Sequence, residues 1–156
     1  MRAVIQLVKE SRVKVNNEIV GSIGTGFNVL LGVSVEDTEK DADYLAEKVV
    51  GLRIFEDSEG KTNLSIVDKI DEGKEMGMLI ISQFTLYGDC RKGKRPSFIN
   101  AAQPAEAEAL YTYFVSKVRA LCPALKIATG IFRTDMEVSI VNDGPMTILL
   151  ESKKTF

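Results

Sequence analysis

Histidine and tryptophan are absent from this chain, and only two cysteines occur among its 156 residues. Without histidine, the chain cannot build a Ser-His-Asp or Cys-His nucleophilic site, nor a zinc site with imidazole ligands. Cys90 and Cys122 are far apart and match no metal-binding or redox spacing. Any catalysis must therefore use hydroxyls, carboxylates, lysines, backbone amides or the substrate itself, and we expect neither a metal nor a cofactor.

Long apolar runs are also missing, as is a strong excess of either charge. No stretch approaches the roughly 20 apolar residues of a membrane span, and the N-terminus lacks the pattern of a signal peptide. We therefore expect a cytoplasmic protein with reduced thiols and no membrane partner. The formal net charge of −2 and the pI of about 5.3 provide no global basic field, so DNA is not an expected partner.

Basic residues are concentrated locally, at Arg91, Lys92, Lys94 and Arg95 and again at Lys153–Lys154. Clusters of this kind are usually solvated surface. They still leave room for a nucleic-acid partner that the overall charge does not advertise.

The apolar pattern predicts a single α+β domain over residues 1–156, since 45% hydrophobic content at this length supplies one core. Two predicted helices lie between sheet segments and do not alternate strictly with strands. The first begins near residue 39, capped by Asp37 or Thr38, and the second begins at Pro104 and ends before Pro123. The predicted strands cover residues 2–8, 12–16, 18–23, 27–33, 53–56, 64–67, 78–86, 126–128, 136–141 and 146–151.

Two stretches carry most of the functional information. Val138–Ile148 reads as a strand, an Asn-Asp-Gly-Pro break and a second strand. In the break, Gly144 permits a close approach of backbone or ligand, while Pro145 donates no N–H and can take a cis peptide bond. An ordinary turn is the alternative. Met78–Asp89 is a strongly apolar strand that ends in a dense set of hydroxyl and amide groups.

The two motifs, Ser-Gln-Phe-Thr-Leu at 82–86 and Asn-Asp-Gly-Pro-Met-Thr at 142–147, together resemble the signature motifs of the D-aminoacyl-tRNA deacylases. Further segments match that family in its order, so the resemblance covers essentially the whole chain. It implies a barrel-like, mostly antiparallel sheet with two packed helices, working as a homodimer with active sites at the subunit interface. The implied reaction is hydrolysis of the ester bond of D-aminoacyl-tRNA, with the aminoacylated 3′ end of tRNA as partner.

The resemblance also assigns roles to individual residues. The Ser82 hydroxyl and the Phe84 amide are placed at the substrate carbonyl, where they would form an oxyanion hole, and Gln83 is placed in the substrate-binding set. Thr85 is either a nucleophile or, since no base is evident, a positioning group; substrate-assisted hydrolysis by the ribose 2′-hydroxyl is the alternative. On a regular strand Ser82 and Phe84 face away from Gln83 and Thr85, so the strand end must bend if all four line one site.

Four further residues follow from the same resemblance. Gly144 and Pro145 are expected to act as a chiral filter, holding the substrate amine and rejecting an L side chain by steric clash. Glycine, which has no side chain, should pass this filter. Phe132 and Met136 are expected to line the adenosine or the Gly-Pro motif, and ordinary core positions are the alternative.

Two positions depart from the family pattern. Leu7 stands where family members usually carry an arginine associated with locking the Gly-Pro motif across the dimer interface. Ile131 stands where a charged or polar residue is common. The competing hypothesis is therefore a non-catalytic dimeric module that binds D-amino acids or nucleotide ends; general nucleic-acid binding is disfavoured by the acidic pI.

Overall fold

The computed structural model describes residues 1–156 as one sheet of six strands, a separate two-stranded ribbon and helices packed against the sheet. Apolar runs with β-branched residues form the strands, and apolar residues at helical spacing form the helices. The strands are β1 (Arg2–Val15), β2 (Glu18–Ile23), β3 (Gly26–Gly32), β4 (Phe55–Glu56), β5 (Thr62–Leu64), β6 (Gly77–Ser82), β7 (Lys126–Thr129) and β8 (Glu137–Glu151); the helices are α1 (Glu39–Val50), α2 (Ile66–Asp71), the 3₁₀ turn Phe84–Tyr87 and α3 (Pro104–Leu121).

The sheet is built around β1, which pairs antiparallel with β2, β3 and β8. From β3 the sheet continues through β6 to β7, and both of these pairings are parallel because helical crossovers separate the strands. β2 approaches β7 closely, since a Cβ on Gly21 would lie 2.5 Å from the Thr129 carbonyl oxygen. The sheet is thus mixed and nearly closed, which confirms the predicted barrel-like α+β class.

Both faces of the central strands are buried. On β6, Met78 and Ile80 belong to a core cluster of 25 buried residues shared with α1 and α3, while Leu79 and Ile81 belong to a second cluster of five. A continuous apolar run is the pattern of a strand covered on both sides. β6 therefore runs through the middle of the molecule and delivers its last residue, half-buried Ser82, to the surface.

The structure corrects the sequence interpretation in four places. A third helix, α2, occupies residues predicted as a strand at 64–67, because Ser65 and Asp68 form a reciprocal capping box: the Asp68 N–H donates to Ser65 Oγ at 3.2 Å and the Ser65 N–H to Asp68 Oδ2 at 2.7 Å. β1 is one strand, not two. The strand predicted at 78–86 ends at Ser82. β8 continues through the Asn-Asp-Gly-Pro segment as a bulged strand.

The capping prediction for the first helix is confirmed at Thr38, whose backbone N–H donates to Asp41 Oδ2 at 2.9 Å. Pro104 starts α3, as predicted. No helix in the structure combines the length and the apolar character needed to cross a membrane.

Candidate active site

The chain bends sharply at the end of β6, and this bend gathers the predicted catalytic group. Gln83 leaves the strand with φ −145° and ψ 82°, and residues 84–87 form a single 3₁₀ turn. The bend is held to β3 by the Gln83 N–H, which donates to the Leu31 carbonyl at 2.7 Å. Gly32 makes room for it, since a Cβ there would lie 3.0 Å from both the Gln83 carbonyl oxygen and Leu86 Cβ. Strand alternation therefore no longer separates Ser82 and Phe84 from their neighbours.

A cavity of about 660 Å³ opens beside this bend, within the size range of small-molecule sites. Its floor comes from β3, β6 and α3, and its rim comes from the segments 98–104 and 132–136. Five of the eight predicted site residues line it: Ser82, Gln83, Phe84, Phe132 and Met136.

Aromatic rings form the walls of the cavity. Phe84 and Phe98 meet edge to face with ring centroids 5.0 Å apart, and Tyr111 packs against Phe132 at 6.0 Å. The Tyr111 hydroxyl donates to the Ile80 carbonyl at 2.7 Å, and burial raises the pKa of Tyr111 to about 12, so it stays protonated. Phe84 nevertheless leaves 57% of its surface exposed, which suits a planar ligand stacking on it.

Met136 reaches the wall because residue 130 is glycine. A Cβ at Gly130 would lie 2.4 Å from Met136 Sδ, so a larger residue there would force this side chain to move. Met136 and Phe132 also pack against the two core clusters. Both residues are thus partly core and partly cavity wall.

Thr85 lies just outside the cavity and is exposed. The Gln83 side-chain amide donates to Thr85 Oγ1, and no titratable side chain hydrogen-bonds to this hydroxyl. Because the amide occupies an acceptor position of the oxygen, the hydroxyl proton is left to donate outward. Nothing in this arrangement removes that proton, so the geometry suits a donor better than a nucleophile.

The Gly144-Pro145 motif is not brought to the cavity of its own chain. The peptide bond between the two residues is cis, Gly144 has φ +114°, and both residues are exposed. They lie in a bulge: Gln6 pairs with Thr147 and Val8 pairs with Asn142, so residues 143–146 protrude from the edge of the sheet. Within a single chain, the two signature motifs therefore do not line the same cavity.

The bulge is fastened by two contacts. Asn142 Oδ1 accepts a hydrogen bond from the Met146 N–H at 3.2 Å, and Lys9 Nζ lies 3.9 Å from Asp143 Oδ1. The ion pair is solvent-exposed and contributes little. Leu7, which stands opposite the bulge, packs on the large core cluster together with Met146. Leu7 and Met146 thus anchor the two sides of this irregular pairing in the same apolar core.

Sequence reasoning missed several cavity residues. Tyr111 is one of several apolar residues along α3, and Phe98 lies in the irregular segment that precedes this helix, so neither stands out in the sequence. Arg133 and Asp135 lie on the rim beside Phe132, and Arg133 has φ +59°. A positive φ at a non-glycine residue has no sequence signature that could have shown it. No group of three or more His, Cys, Asp or Glu side chains is arranged to hold a metal ion, and Cys90 and Cys122 are both free.

Comparison with known proteins decides the family. A family model described as D-Tyr-tRNA(Tyr) deacylase matches residues 4–151. The chain belongs to this deacylase family. Membership confirms the resemblance inferred from the two motifs, and with it the prediction of an enzyme of the deacylase class.

Relatives within the deacylase family match along the full chain. The D-aminoacyl-tRNA deacylase of Symbiobacterium thermophilum is 58% identical over 158 aligned residues, covering 100% of this chain and 99% of that protein. The protein of the same name from Clostridium perfringens is 54% identical, with 100% of both chains covered. A solved structure of a c-Myc DNA Unwinding Element Binding Protein is 40% identical, with a TM-score of 0.85 over 97% of this chain and 98% of that chain.

Proposed function

We propose that this protein hydrolyses the ester bond of D-aminoacyl-tRNA and releases the D-amino acid and the tRNA. The observation that carries the proposal is the bend after β6, which presents hydroxyl and amide groups at the mouth of an aromatic cavity. Relatives at 54–58% identity that bear this name support the substrate. Charged tRNA is made and used in the cytoplasm, so we assign the protein to that compartment.

The oxyanion is stabilised by neutral donors. The Ser82 hydroxyl and the Phe84 N–H, which opens the 3₁₀ turn and so has no acceptor within it, donate to the ester carbonyl oxygen. Each such donor accelerates acyl transfer by about 10²–10³-fold. Thr85, oriented by Gln83, is a further donor that positions the carbonyl or the attacking water. The terminal adenosine lies against the exposed face of Phe84, with Phe132 and Met136 behind it.

No side chain at the bend acts as a base, so the proposed mechanism uses the substrate itself. The free ribose 2′-hydroxyl of the terminal adenosine orders and activates the attacking water. A D-aminoacyl-tRNA that ends in 2′-deoxyadenosine tests this step. We expect its hydrolysis to be lost, and full hydrolysis would rule out the role of the 2′-hydroxyl.

The working unit is a homodimer in which each cavity receives Gly144 and Pro145 from the second copy. The motif protrudes from its own chain and is solvent-exposed, and β8 has no strand on its outer edge. On the same strand Val141 and Leu149 leave 46% and 58% of their surfaces exposed, an apolar pattern that a second copy would cover. The carbonyls of the inserted motif hold the substrate amine and fill the space that an L side chain would need. Glycine has no side chain to clash with them, so glycyl-tRNA is also a substrate.

The decisive experiment compares D-Tyr-tRNA with L-Tyr-tRNA as substrates of the purified protein, with EDTA present. Release of tyrosine from the D-ester alone is the expected result. Hydrolysis of both would show that the filter does not discriminate, and would point to Leu7. Binding of the D-ester without turnover, and its protection from spontaneous hydrolysis, would favour the non-catalytic binding module.

Mixed dimers test whether the site is shared between two chains. Neither Thr85→Ala nor Gly144→Val is expected to be active alone. If Gly144 acts across the interface, co-refolding equal amounts of both variants restores one intact site in each mixed dimer, or about a quarter of wild-type activity. If Gly144 acts within its own chain, no activity returns.

A further inference from the structure

The segment between the 3₁₀ turn and α3 contains a loop, residues 89–97, whose two ends are joined by hydrogen bonds. Asp89 and Ser97 close its base through two backbone hydrogen bonds, from the Asp89 N–H at 2.8 Å and from the Ser97 N–H at 2.9 Å. The Arg91 side chain folds back on Asp89 with 2.9 and 2.6 Å contacts. Gly93, with φ +86°, makes the turn at the tip. The segment is therefore a defined hairpin-like loop.

Three cations on this loop have no partner. Lys92, Lys94 and Arg95 are exposed, and none has a carboxylate oxygen within 4.0 Å, whereas Lys117 and Lys153 are paired with acids of α1 at 2.9 and 3.0 Å. The nearest acid in the loop, Asp89, is occupied by Arg91. In a chain whose net charge is −2, this loop is a local positive patch.

The loop lies beside the mouth of the cavity. Phe98 follows its closing residue, lines the cavity and packs on Phe84. Arg95 is three residues away, so its Cα lies within about 10 Å of that of Phe98. The other rim carries Arg133, which has no ion pair, next to Asp135. The loop cations are thus joined to the cavity wall through Phe98, and Arg133 adds a further cation at the rim.

We propose that Lys92, Lys94 and Arg95, with Arg133 on the facing rim, bind the phosphates of the single-stranded 3′ end of tRNA that precede the terminal adenosine. The inference rests on the proposed function, because it assumes that the adenosine occupies the cavity. It adds the part of the tRNA that the protein holds. Cations without carboxylate partners bind phosphates at no cost of a broken ion pair, and each releases counterions on binding.

Two substrates separate this inference from the proposed function. D-Tyr-tRNA carries the phosphates, whereas D-tyrosyl-adenosine carries the same ester and no phosphate. The test variant is Lys92→Ala/Lys94→Ala/Arg95→Ala. Its matched control is Lys40→Ala/Lys74→Ala/Lys126→Ala, which removes three other exposed cations that also lack a carboxylate within 4.0 Å.

For D-Tyr-tRNA we expect the slope of log(kcat/KM) against log[salt] to be less steep by about 2 in the loop variant than in the wild type, since each phosphate contact to a single strand contributes about −0.7 to this slope. Between 50 and 200 mM salt, kcat/KM of the wild type should therefore fall about 16-fold more than that of the loop variant. Arg133→Ala should make this slope less steep by about 0.7. The control should keep the wild-type slope, and both triple variants should hydrolyse D-tyrosyl-adenosine at the wild-type rate.

Three results would overturn the inference. One is an unchanged slope in the loop variant; the second is an equal loss in the control, which would indicate a general charge effect. The third is equal inhibition of the wild type by a CCA-ending single strand and by a duplex with the same number of phosphates. If the wild-type protein hydrolyses neither D-Tyr-tRNA nor D-tyrosyl-adenosine, the proposed function itself fails.

Discussion

Replacing Gly144 by alanine should damage the site without unfolding the protein. Gly144 has φ +114°, a region that residues with a side chain rarely adopt. A Cβ there would lie 2.9 Å from the Met146 nitrogen, the same N–H that donates to Asn142 Oδ1 at 3.2 Å. The added methyl group therefore strains the backbone and pushes against the one hydrogen bond that fastens the bulge.

The expected cost follows from these two effects. A non-glycine residue in such a conformation costs about 1–3 kcal/mol, and a lost hydrogen bond about 1 kcal/mol. Because the bulge is exposed and relaxes in part, we expect the free energy of unfolding to fall by about 2–3 kcal/mol, or about 5–10 °C in Tm for a protein of this size. A typical domain survives such a loss, so activity can be measured on folded protein.

The assay compares kcat/KM for D-Tyr-tRNA and L-Tyr-tRNA at 25 °C, with Tm measured on the same preparations. Displacement of the motif by a fraction of an ångström to 1 Å should lower kcat/KM for the D-ester by about 10- to 100-fold and reduce the ratio of D to L rates. Gly60→Ala is the control: Gly60 has φ +74°, and nothing lies within 4 Å of a Cβ there. It should lose about 1 kcal/mol and no activity.

Two outcomes would refute this reasoning. If Gly144→Ala lost stability as expected but kept the wild-type rate and D-to-L ratio, the bulge would not belong to the active site. If its Tm were unchanged, the strain and contact attributed to residue 144 would be wrong.

Three further predictions concern the cavity and α1. Gln83→Ala should lower kcat by about 3- to 10-fold with KM unchanged, since it removes only the hydrogen bond that orients Thr85; a change in KM alone would contradict this. Phe84→Ala keeps the backbone amide but loses a stacking surface worth about 1–3 kcal/mol. KM for D-Tyr-tRNA should therefore rise at least fivefold, while kcat changes less. A large fall in kcat with little change in KM would exclude adenosine stacking on Phe84. Asp41→Asn should destabilise the protein by about 1 kcal/mol at pH 7, as measured by urea denaturation. Burial opposes ionisation of Asp41, but hydrogen bonds from Lys153, Ser152 and Thr38 outweigh it and hold its pKa well below the ordinary 3.8. The difference in unfolding free energy between the wild type and Asp41→Asn should therefore be full above about pH 5 and vanish as the pH falls further below 4.

Local sequence determined the identity of most elements in this protein. The starts of α1 and α3 follow from Thr38 and Pro104, because capping chemistry and the proline ring act on the residues beside them. The burial of β6 on both faces follows from its unbroken apolar run. The motifs around Ser82 and Gly144 likewise sufficed to predict the family.

The cavity itself could not be read in this way. Its walls combine Phe84 with Phe98 and Tyr111 with Phe132, pairs that are 14 and 21 residues apart and meet only in the folded chain. The predicted strand through residue 86 was wrong because a glycine on the neighbouring strand, Gly32, leaves space for the bend.

The tertiary structure also decided which predicted site residues meet. One cavity is lined by Ser82, Gln83, Phe84, Phe132 and Met136. Gly144 and Pro145 lie elsewhere, in the bulge of β8. Sequence patterns report the local preferences of neighbouring residues, such as period, capping and turn chemistry. The distance between two remote motifs depends on how strands pair and helices cross, and only the folded chain fixes that distance.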